Sequence, residues 1–301
     1  MKHFIDINNF SKIELRKILN QANKIKKNQI KSSLLLKNKS LGMLFEKQST
    51  RTRISFSIGM QKLGGNVIEL DSNNIGFGKR ESNEDILKTM SQYLDVLLIR
   101  NDDHKLLTSL ASKNILPVIN GLSNFSHPCQ ILTDIFTIEE KLGSIKGKKI
   151  SWLGDYNNVL ISLIHAAEIF EFTLNILVPK SFIQKHRKIF KNRKLKYSNF
   201  YDDLNAGLKG ADCIMTDTWF SMGDKFLKNK KKLLFNFQVN SDIIKKAKRN
   251  VIFMHCLPAH RNEEVTSQVI DGSHSVVWIQ AQNRMYVQQS ILKYLVNHVK
   301  K

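Results

Sequence analysis

Short runs of apolar residues alternate with segments of helical periodicity along most of the chain. Runs of this length and composition are typical of buried strands. They cover residues 41–45, 67–70, 96–100, 115–119, 149–153, 174–178, 211–216 and 251–255. Strands that alternate with helices in both halves predict two α/β domains, each a mainly parallel sheet flanked by helices. Sheets of this kind bind ligands outside the carboxyl ends of their strands.

Helix starts can be identified at several points between these runs. Ser11 and Glu14 have the spacing of a capping box, in which each side chain satisfies a backbone N–H of the other residue. Asn157-Asn158 opens a helix that we expect to continue to residue 169. An amphipathic helix from about residue 282 closes the chain.

The stretch from Ser49 to Thr52 carries three hydroxyl groups and one guanidinium within four residues, and Arg53 adds another guanidinium. The apolar residues in 54–63 fit a helix imperfectly, and their alternation would also allow a strand. The length of the segment and the closing Gly64-Gly65 favour a helix. Hydroxyls, guanidiniums and free N–H groups at a helix N-terminus make a suitable seat for a phosphate dianion. The alternative is an ordinary Ser/Thr cap followed by solvated arginines.

Composition limits the possible classes of protein. A chain of 301 residues suits two domains, and 42% hydrophobic with 24% charged residues is normal for a globular protein. Three scattered cysteines and no early apolar run favour a reducing, cytoplasmic location without a membrane span. The net charge of +21 admits a nucleic-acid binder as an alternative. The lysine clusters carry almost no interleaved aromatic residues for base stacking, however, so we expect no nucleic-acid partner.

Polar residues that suit anion binding and group transfer follow several predicted strands. Arg100 ends one strand, Asp217 follows another, and Cys256 follows a third. Taken singly, Asp217 could cap a turn and Cys256 could be a small buried apolar residue. The chain has no G-x-G-x-x-G after a strand, no P-loop and no H-E-x-x-H. We therefore expect no nucleotide cofactor and no catalytic metal.

Four motifs, taken together, resemble the transcarbamylases, and within them the ornithine branch. They are Phe45-Glu46-Lys47-x-Ser49-Thr50-Arg51-Thr52-Arg53, His127-Pro128-x-Gln130, Asp217-x-Trp219-x-Ser221-Met222-Gly223 and His255-Cys256-Leu257-Pro258. The resemblance covers essentially the whole chain, with the motifs in the expected order and spacing. The Ser-Met-Gly loop and the Cys at 256 separate the ornithine branch from the aspartate branch, which has Pro at that position.

The resemblance implies transfer of the carbamoyl group of carbamoyl phosphate to the δ-amine of L-ornithine, giving citrulline and phosphate in arginine metabolism without a cofactor. The residues that it assigns to carbamoyl phosphate are Ser49, Thr50, Arg51, Thr52, Arg100, His127, Gln130, Cys256, Leu257 and Arg284. Arg100, His127 and Cys256 are the expected catalytic residues. Donors that are in place before the amine attacks stabilise the charge that develops on the carbamoyl oxygen.

The ornithine end is assigned to four further residues, namely Asn158, Asp217, Ser221 and Met222. A carboxylate suits the α-ammonium group of ornithine, and amide, hydroxyl or backbone groups suit the rest of its amino-acid end. Cys256 and the Leu257 carbonyl would lie beside the attacking amine, where we expect the thiol to orient and desolvate it without a covalent intermediate.

The resemblance also implies the domain organisation and the assembly. We expect a carbamoyl-phosphate-binding domain over 1–135, joined by a C-terminal helix over 286–301 that packs back on it, and an ornithine-binding domain over 136–285. The family is typically a homotrimer in which the loop at 71–81 reaches a neighbouring subunit, and we expect a homotrimer or a multiple of trimers here. This chain departs from the family pattern in that loop, with Gly76 where Gln is usual, and Gln48 stands where Pro is usual. Lys79 is a candidate to substitute for the missing Gln.

Two alternatives stay open at this point. A sister transcarbamylase would use putrescine or N-acetylornithine, and Asp217 with the Ser221-Met222-Gly223 loop argues against putrescine, which has no amino-acid end to hold. A basic nucleic-acid-binding protein would bind strands tightly and transfer no carbamoyl group.

Overall fold

The computed structural model describes residues 1–47, 49–71, 75, 77, 81–190, 195–220 and 228–299. The chain divides into two compact units. The first contains Met1–Thr133 and Gln282–Lys301, and the second contains Asp134–Ala281. Each unit is built on one parallel sheet with helices between its strands. The prediction of two α/β domains is confirmed.

The first unit has a four-stranded sheet of order β2-β1-β3-β4, in which every pairing is parallel. Its strands are β1 (Ser40–Phe45), β2 (Asn66–Leu70), β3 (Val96–Arg100) and β4 (Val118–Leu122). Its helices are α1 (Lys12–Lys26), α2 (Thr50–Lys62), α3 (Asn83–Ser91) and α4 (His104–Ser112). Buried aliphatic residues of β1, β3, β4, α3 and α4 form one core cluster beneath this sheet.

Strand β4 begins three residues later than the predicted 115–119. Pro117 lies immediately before it, and proline cannot donate a hydrogen bond to a sheet ladder, so it stands at the strand start. The N-terminal segment then pairs with β4, because the Phe4 N–H donates to the Val118 carbonyl at 2.8 Å. Helix α4 was not predicted, although Asp103 caps it with a side chain that accepts from two N–H groups.

The second unit has a five-stranded sheet of order β7-β6-β5-β8-β9, again with parallel pairings throughout. Its strands are β5 (Lys149–Leu153), β6 (Thr173–Leu177), β7 (Ser198–Phe200), β8 (Cys213–Thr216) and β9 (Ile252–His255). The helices that lie wholly within this unit are α6 (Asn158–Phe170), α7 (Ile183–Phe190), α8 (Leu204–Leu208), α9 (Lys228–Leu234), α10 (Ser241–Lys245) and α11 (Ser267–Ile270). The three-residue strand β7 was not predicted.

Two long helices carry the chain across the division between the units, α5 (Pro128–Leu142) and α12 (Val277–Val296). Helix α12 begins five residues before the predicted start at about 282, because its first residue, Val277, belongs to the apolar core of the second unit. Its later part belongs to the first unit, where the Ser290 hydroxyl donates to the Ile18 carbonyl at 2.7 Å. The C-terminal helix therefore packs back on the first unit, as predicted.

Candidate active site

Register in the first sheet brings the stretch from Ser49 to Thr52, the predicted phosphate site, next to Arg100. Phe45, the last residue of β1, is opposite Arg100, the last residue of β3. The chain then turns into helix α2, with Ser49 as its N-cap. The Ser49 hydroxyl makes no capping bond and instead accepts from Arg100 Nη1 at 3.0 Å. The N-terminus of α2, with the positive end of its dipole, and a guanidinium therefore meet at one place.

Arg284 joins three elements of the first unit. Its Nη2 donates to the Thr52 hydroxyl on α2 at 2.9 Å, and its Nη1 donates to Gln130 Oε1 on α5. All three side chains are at least 95% buried. A guanidinium fork held in this way is fixed in orientation before any ligand arrives, which lowers the entropic cost of binding an anion.

His127 lies at the start of α5, within the electrostatic reach of three arginines. Burial is the largest cause that lowers its pKa well below the ordinary value of 6.5, and the charges of Arg284, Arg100 and Arg51 lower it further. The imidazole is therefore neutral at neutral pH. A neutral imidazole can donate a hydrogen bond to a carbonyl oxygen without adding a fourth positive charge.

The second unit collects a different set of residues at the carboxyl ends of β8 and β9. Thr216 and His255 are paired in register, so the next residues, Asp217 and Cys256, leave the sheet side by side. The Cys256 thiol donates to Asp217 Oδ1, with 2.7 Å between sulfur and oxygen. Asp217 is 94% buried and faces away from bulk solvent. A buried carboxylate of this kind suits a cationic amine ligand.

The other oxygen of Asp217 is held by Asn157, a residue that sequence reasoning did not assign to the site. Asn157 Nδ2 donates to Asp217 Oδ2 at 2.7 Å, while Asn157 Oδ1 accepts from the N–H groups of Val159 and Leu160, both at 3.1 Å. These bonds fix which side of the amide faces Asp217. The predicted ligand Asn158 is the adjacent residue, the first of α6, and is half-buried.

The segment after Cys256 has an unusual backbone. Leu257 has φ of +58°, in the left-handed region that a leucine rarely adopts, and the peptide to Pro258 is cis. The Leu257 N–H donates to Nδ1 of His255 at 2.8 Å. His255 is fully buried and its Nε2 lies 3.1 Å from Oε1 of Glu264. Neither His255 nor Glu264 was assigned a role from the sequence.

Several predicted residues fall outside the described part of the chain. Ser221 and Met222 of the predicted ornithine site lie there, and so do the departures at Gln48 and Gly76 and the candidate Lys79. The described site residues divide between the units, with Ser49 to Thr52, Arg100, His127, Gln130 and Arg284 in the first, and Asn158, Asp217, Cys256 and Leu257 in the second.

Two clusters among the described residues bring metal-ligand atoms within 4.8 Å of one another, Asp217 with His255 and Cys256, and His260 with Glu263 and Glu264. In the first cluster both His255 ring nitrogens and both Asp217 oxygens already have hydrogen-bond partners within the protein. These contacts satisfy the donor set without an ion. Within the described residues, no helix combines the length and apolar character needed to cross a membrane.

Comparisons with known proteins match both halves of the chain to one family. The family model described as "Aspartate/ornithine carbamoyltransferase, carbamoyl-P binding domain" matches residues 2–140. The model described as "Aspartate/ornithine carbamoyltransferase, Asp/Orn binding domain" matches residues 146–295. The chain belongs to the aspartate/ornithine carbamoyltransferase family.

Individual members of the family are similar over nearly their whole length. The chain is 44% identical over 298 residues to the ornithine carbamoyltransferase of Nitrobacter winogradskyi, covering 97% of this chain and 96% of that protein. It is 41% identical over 301 residues to that of Ruthia magnifica, covering 99% and 100%. Among solved structures, the ornithine carbamoyltransferase of Burkholderia thailandensis superimposes with a TM-score of 0.90 at 36% identity, covering 98% and 99%. The enzyme from Pyrococcus furiosus gives 0.89 at 38%, covering 99% and 98%.

Proposed function

We propose that this carbamoyltransferase transfers the carbamoyl group of carbamoyl phosphate to the δ-amine of L-ornithine, forming L-citrulline and phosphate. The observation that carries the proposal is the Asp217–Cys256 pair, a buried carboxylate beside a thiol in the second unit. The names of the similar proteins agree with it, since they are ornithine carbamoyltransferases at 41–44% identity.

In the proposed reaction, the first unit binds carbamoyl phosphate. The N-terminus of α2, with Ser49 to Thr52, receives the phosphate, and Arg51, Arg100 and Arg284 supply positive charge. Neutral His127 and Gln130 contact the carbamoyl end. As the amine attacks, negative charge develops on the carbamoyl oxygen, and donors already held in place stabilise the transition state more than the ground state. The same cations stabilise the departing phosphate.

In the second unit, Asp217 receives the α-ammonium of ornithine. Its two oxygens accept from Cys256 and Asn157 but retain further acceptor sites, because an ionised carboxylate has about four lone-pair positions. Asn158, Ser221 and Met222 complete the amino-acid end. Cys256 and the Leu257 carbonyl orient the δ-amine, which must be neutral to attack. The phosphate takes up the proton that the amine releases.

We infer a cytoplasmic enzyme of arginine biosynthesis that assembles as a homotrimer. Exposed isoleucines in the first unit support assembly: Ile54 and Ile58 lie one turn apart on α2, and Ile68 lies on β2, which α2 contacts. Apolar side chains that are 40–56% exposed favour burial against another subunit. Sedimentation of wild type and Ile58→Asp tests this, with a trimer expected for the first and smaller species for the second.

A substrate panel tests the transfer itself. Initial rates are measured with carbamoyl phosphate and, in parallel, L-ornithine, N-acetylornithine, putrescine and aspartate. We expect citrulline from ornithine to form fastest by a wide margin. A higher kcat/KM with putrescine or N-acetylornithine would identify that amine, and not ornithine, as the substrate. Binding of duplex or single-stranded nucleic acid at physiological salt, without any carbamoyl transfer, would favour the nucleic-acid alternative.

A further inference from the structure

A buried histidine–glutamate pair lies directly behind the Cys256-Leu257 segment. His255 ends strand β9, and its side chain and that of Glu264 are both fully buried. The His255 Nε2 and Glu264 Oε1 atoms are 3.1 Å apart. The same glutamate oxygen also accepts from the backbone N–H of His260 at 2.5 Å. The pair therefore ties the end of β9 to the loop that follows it.

The contacts of His255 determine its tautomer. The Leu257 N–H donates to Nδ1 at 2.8 Å, so Nδ1 carries a lone pair and no proton. The ring proton must then be on Nε2, where it is donated to Glu264. Both ring nitrogens are engaged in this way, and the Cys256 thiol donates to Asp217 instead. His255 is therefore not placed to remove a proton from Cys256.

The bond from the Leu257 N–H acts on a strained backbone. Leu257 has φ of +58°, a conformation that clashes with its own Cβ and persists only when the surroundings hold it. The His255 Nδ1 acceptor is one such restraint, because it fixes the plane of the peptide that enters Leu257. Because this peptide plane and φ together set where the Leu257 carbonyl carbon lies, the restraint also helps to position the Leu257 carbonyl group.

We infer that His255, held as the Nε2–H tautomer by Glu264, is a positioning residue that aims the Leu257 carbonyl at the attacking δ-amine. The inference rests on the proposed function, in which this carbonyl contacts the amine. A misplaced carbonyl would leave the amine bound through its amino-acid end but poorly aligned for attack. Loss of the bond should therefore lower kcat and leave the KM for both substrates nearly unchanged.

Two substitutions test the contacts of the two His255 ring nitrogens separately. In His255→Asn, the amide oxygen can occupy the place of Nδ1 and accept from Leu257, but nothing reaches Glu264. In His255→Gln, the longer amide reaches Glu264 in the place of Nε2, but the acceptor for Leu257 is lost. His298→Asn serves as the control, since His298 is an exposed residue on the C-terminal segment whose Nδ1 contacts the Tyr294 carbonyl.

The inference predicts opposite orders for activity and stability. H255Q should lower kcat about tenfold or more, whereas H255N should stay within about threefold of wild type. H255N should have the lower melting temperature, because it leaves the buried Glu264 carboxylate with one donor fewer. A merely structural role predicts that kcat falls most in the less stable variant, and that result would overturn the inference.

A spectroscopic measurement on the wild-type enzyme keeps the inference testable if a variant does not fold. With ¹⁵N-labelled histidine, the His255 ring should show an unprotonated Nδ1 and a protonated Nε2. A protonated Nδ1 would overturn the inference directly. The activity of wild type with ornithine is measured first, because its absence would overturn the proposed function, whereas an active wild type with the wrong order among the variants would overturn only the role of His255.

Discussion

Asn157 Nδ2 lies 2.7 Å from Asp217 Oδ2, and the same side chain caps helix α6 through its oxygen. One amide thus connects the start of a helix to the carboxylate that we assign to ornithine. The amide nitrogen contacts Asp217 and the amide oxygen caps the helix, so a substitution can remove the first contact and keep the second.

Asn157→Asp should weaken ornithine binding while leaving the helix capped. Aspartate caps a helix about as well as asparagine, but here its second oxygen would face Asp217 and repel it. We expect the KM for ornithine to rise about tenfold and the KM for carbamoyl phosphate to stay constant, measured by steady-state kinetics. Asn240→Asp is the matched control, because Asn240 caps α10 with the same pair of bonds at 3.1 Å. Equal KM changes in the two variants would contradict the assignment.

Arg51→Ala should lower both carbamoyl phosphate affinity and turnover, since Arg51 lies at the N-terminus of α2 and its charge reaches His127. A loss of about tenfold or more in kcat/KM for carbamoyl phosphate is expected. Lys231, in a run of lysines, is a poor control for this variant because its Nζ pairs with Glu263 at 2.5 Å. Lys245→Ala is the cleaner control, because its side chain is 75% exposed and its ion pair with Asp242 lies on the surface. Similar losses in both variants would refute the anion site.

The stability of the enzyme should fall in acid partly because of His127. Burial lowers the pKa of folded His127 well below 6.5, whereas in the unfolded chain it titrates near that value. Below about pH 6.5 the unfolded state therefore binds more protons, and the free energy of unfolding decreases as pH falls. Above that pH the contribution is constant. In urea titrations, wild type should lose more stability than His127→Gln between neutral pH and about pH 5. Parallel pH dependences would disprove this contribution of His127.

Lys230 is expected to hold the turn that precedes Asn157. Its Nζ lies 2.7 Å from Asp155 Oδ2, and 5.1 Å from the centre of the Phe220 ring. Asp155 also accepts from the Tyr156 N–H at 2.8 Å. Lys230→Met leaves a mostly buried carboxylate without its cation, so we expect a destabilisation of about 1–2 kcal/mol and a KM for ornithine raised about threefold. Lys231→Met is the matched control here, because it likewise removes a lysine from an ion pair, that with Glu263. An unchanged KM in Lys230→Met would count against a role in the ornithine site.

The regular features of the fold were predictable from local sequence. Parallel strands of apolar residues and the Ser11–Glu14 capping box depend on near neighbours, and both are present in the structure. The sequence pattern predicts a start of α12 that is too late, because Val277 is buried in a core to which distant strands contribute. The start of β4 was placed too early because the apolar run crosses Pro117, which the ladder cannot include.

The candidate site was predictable only in outline. Strand ends identified Arg100 and Asp217, because the ends of parallel strands converge at one edge of a sheet. The contact between Asn157 and Asp217 joins residues 60 positions apart, and periodicity contains no information about it. The Asn157-Asn158 pair gave a signal for a helix cap but none for which amide faces the carboxylate. Glu264 gave no local signal at all, because its contact with His255 depends on how the loop after β9 packs.

Transfer of a labelled carbamoyl group tests the central proposal most directly. Carbamoyl phosphate labelled with ¹³C is incubated with the enzyme and L-ornithine, and the label is followed by NMR while phosphate release is measured in the same sample. We expect the label to appear in the ureido carbon of citrulline, with one phosphate released for each citrulline formed. Phosphate release without labelled citrulline, or no turnover by folded enzyme, would contradict the proposed reaction.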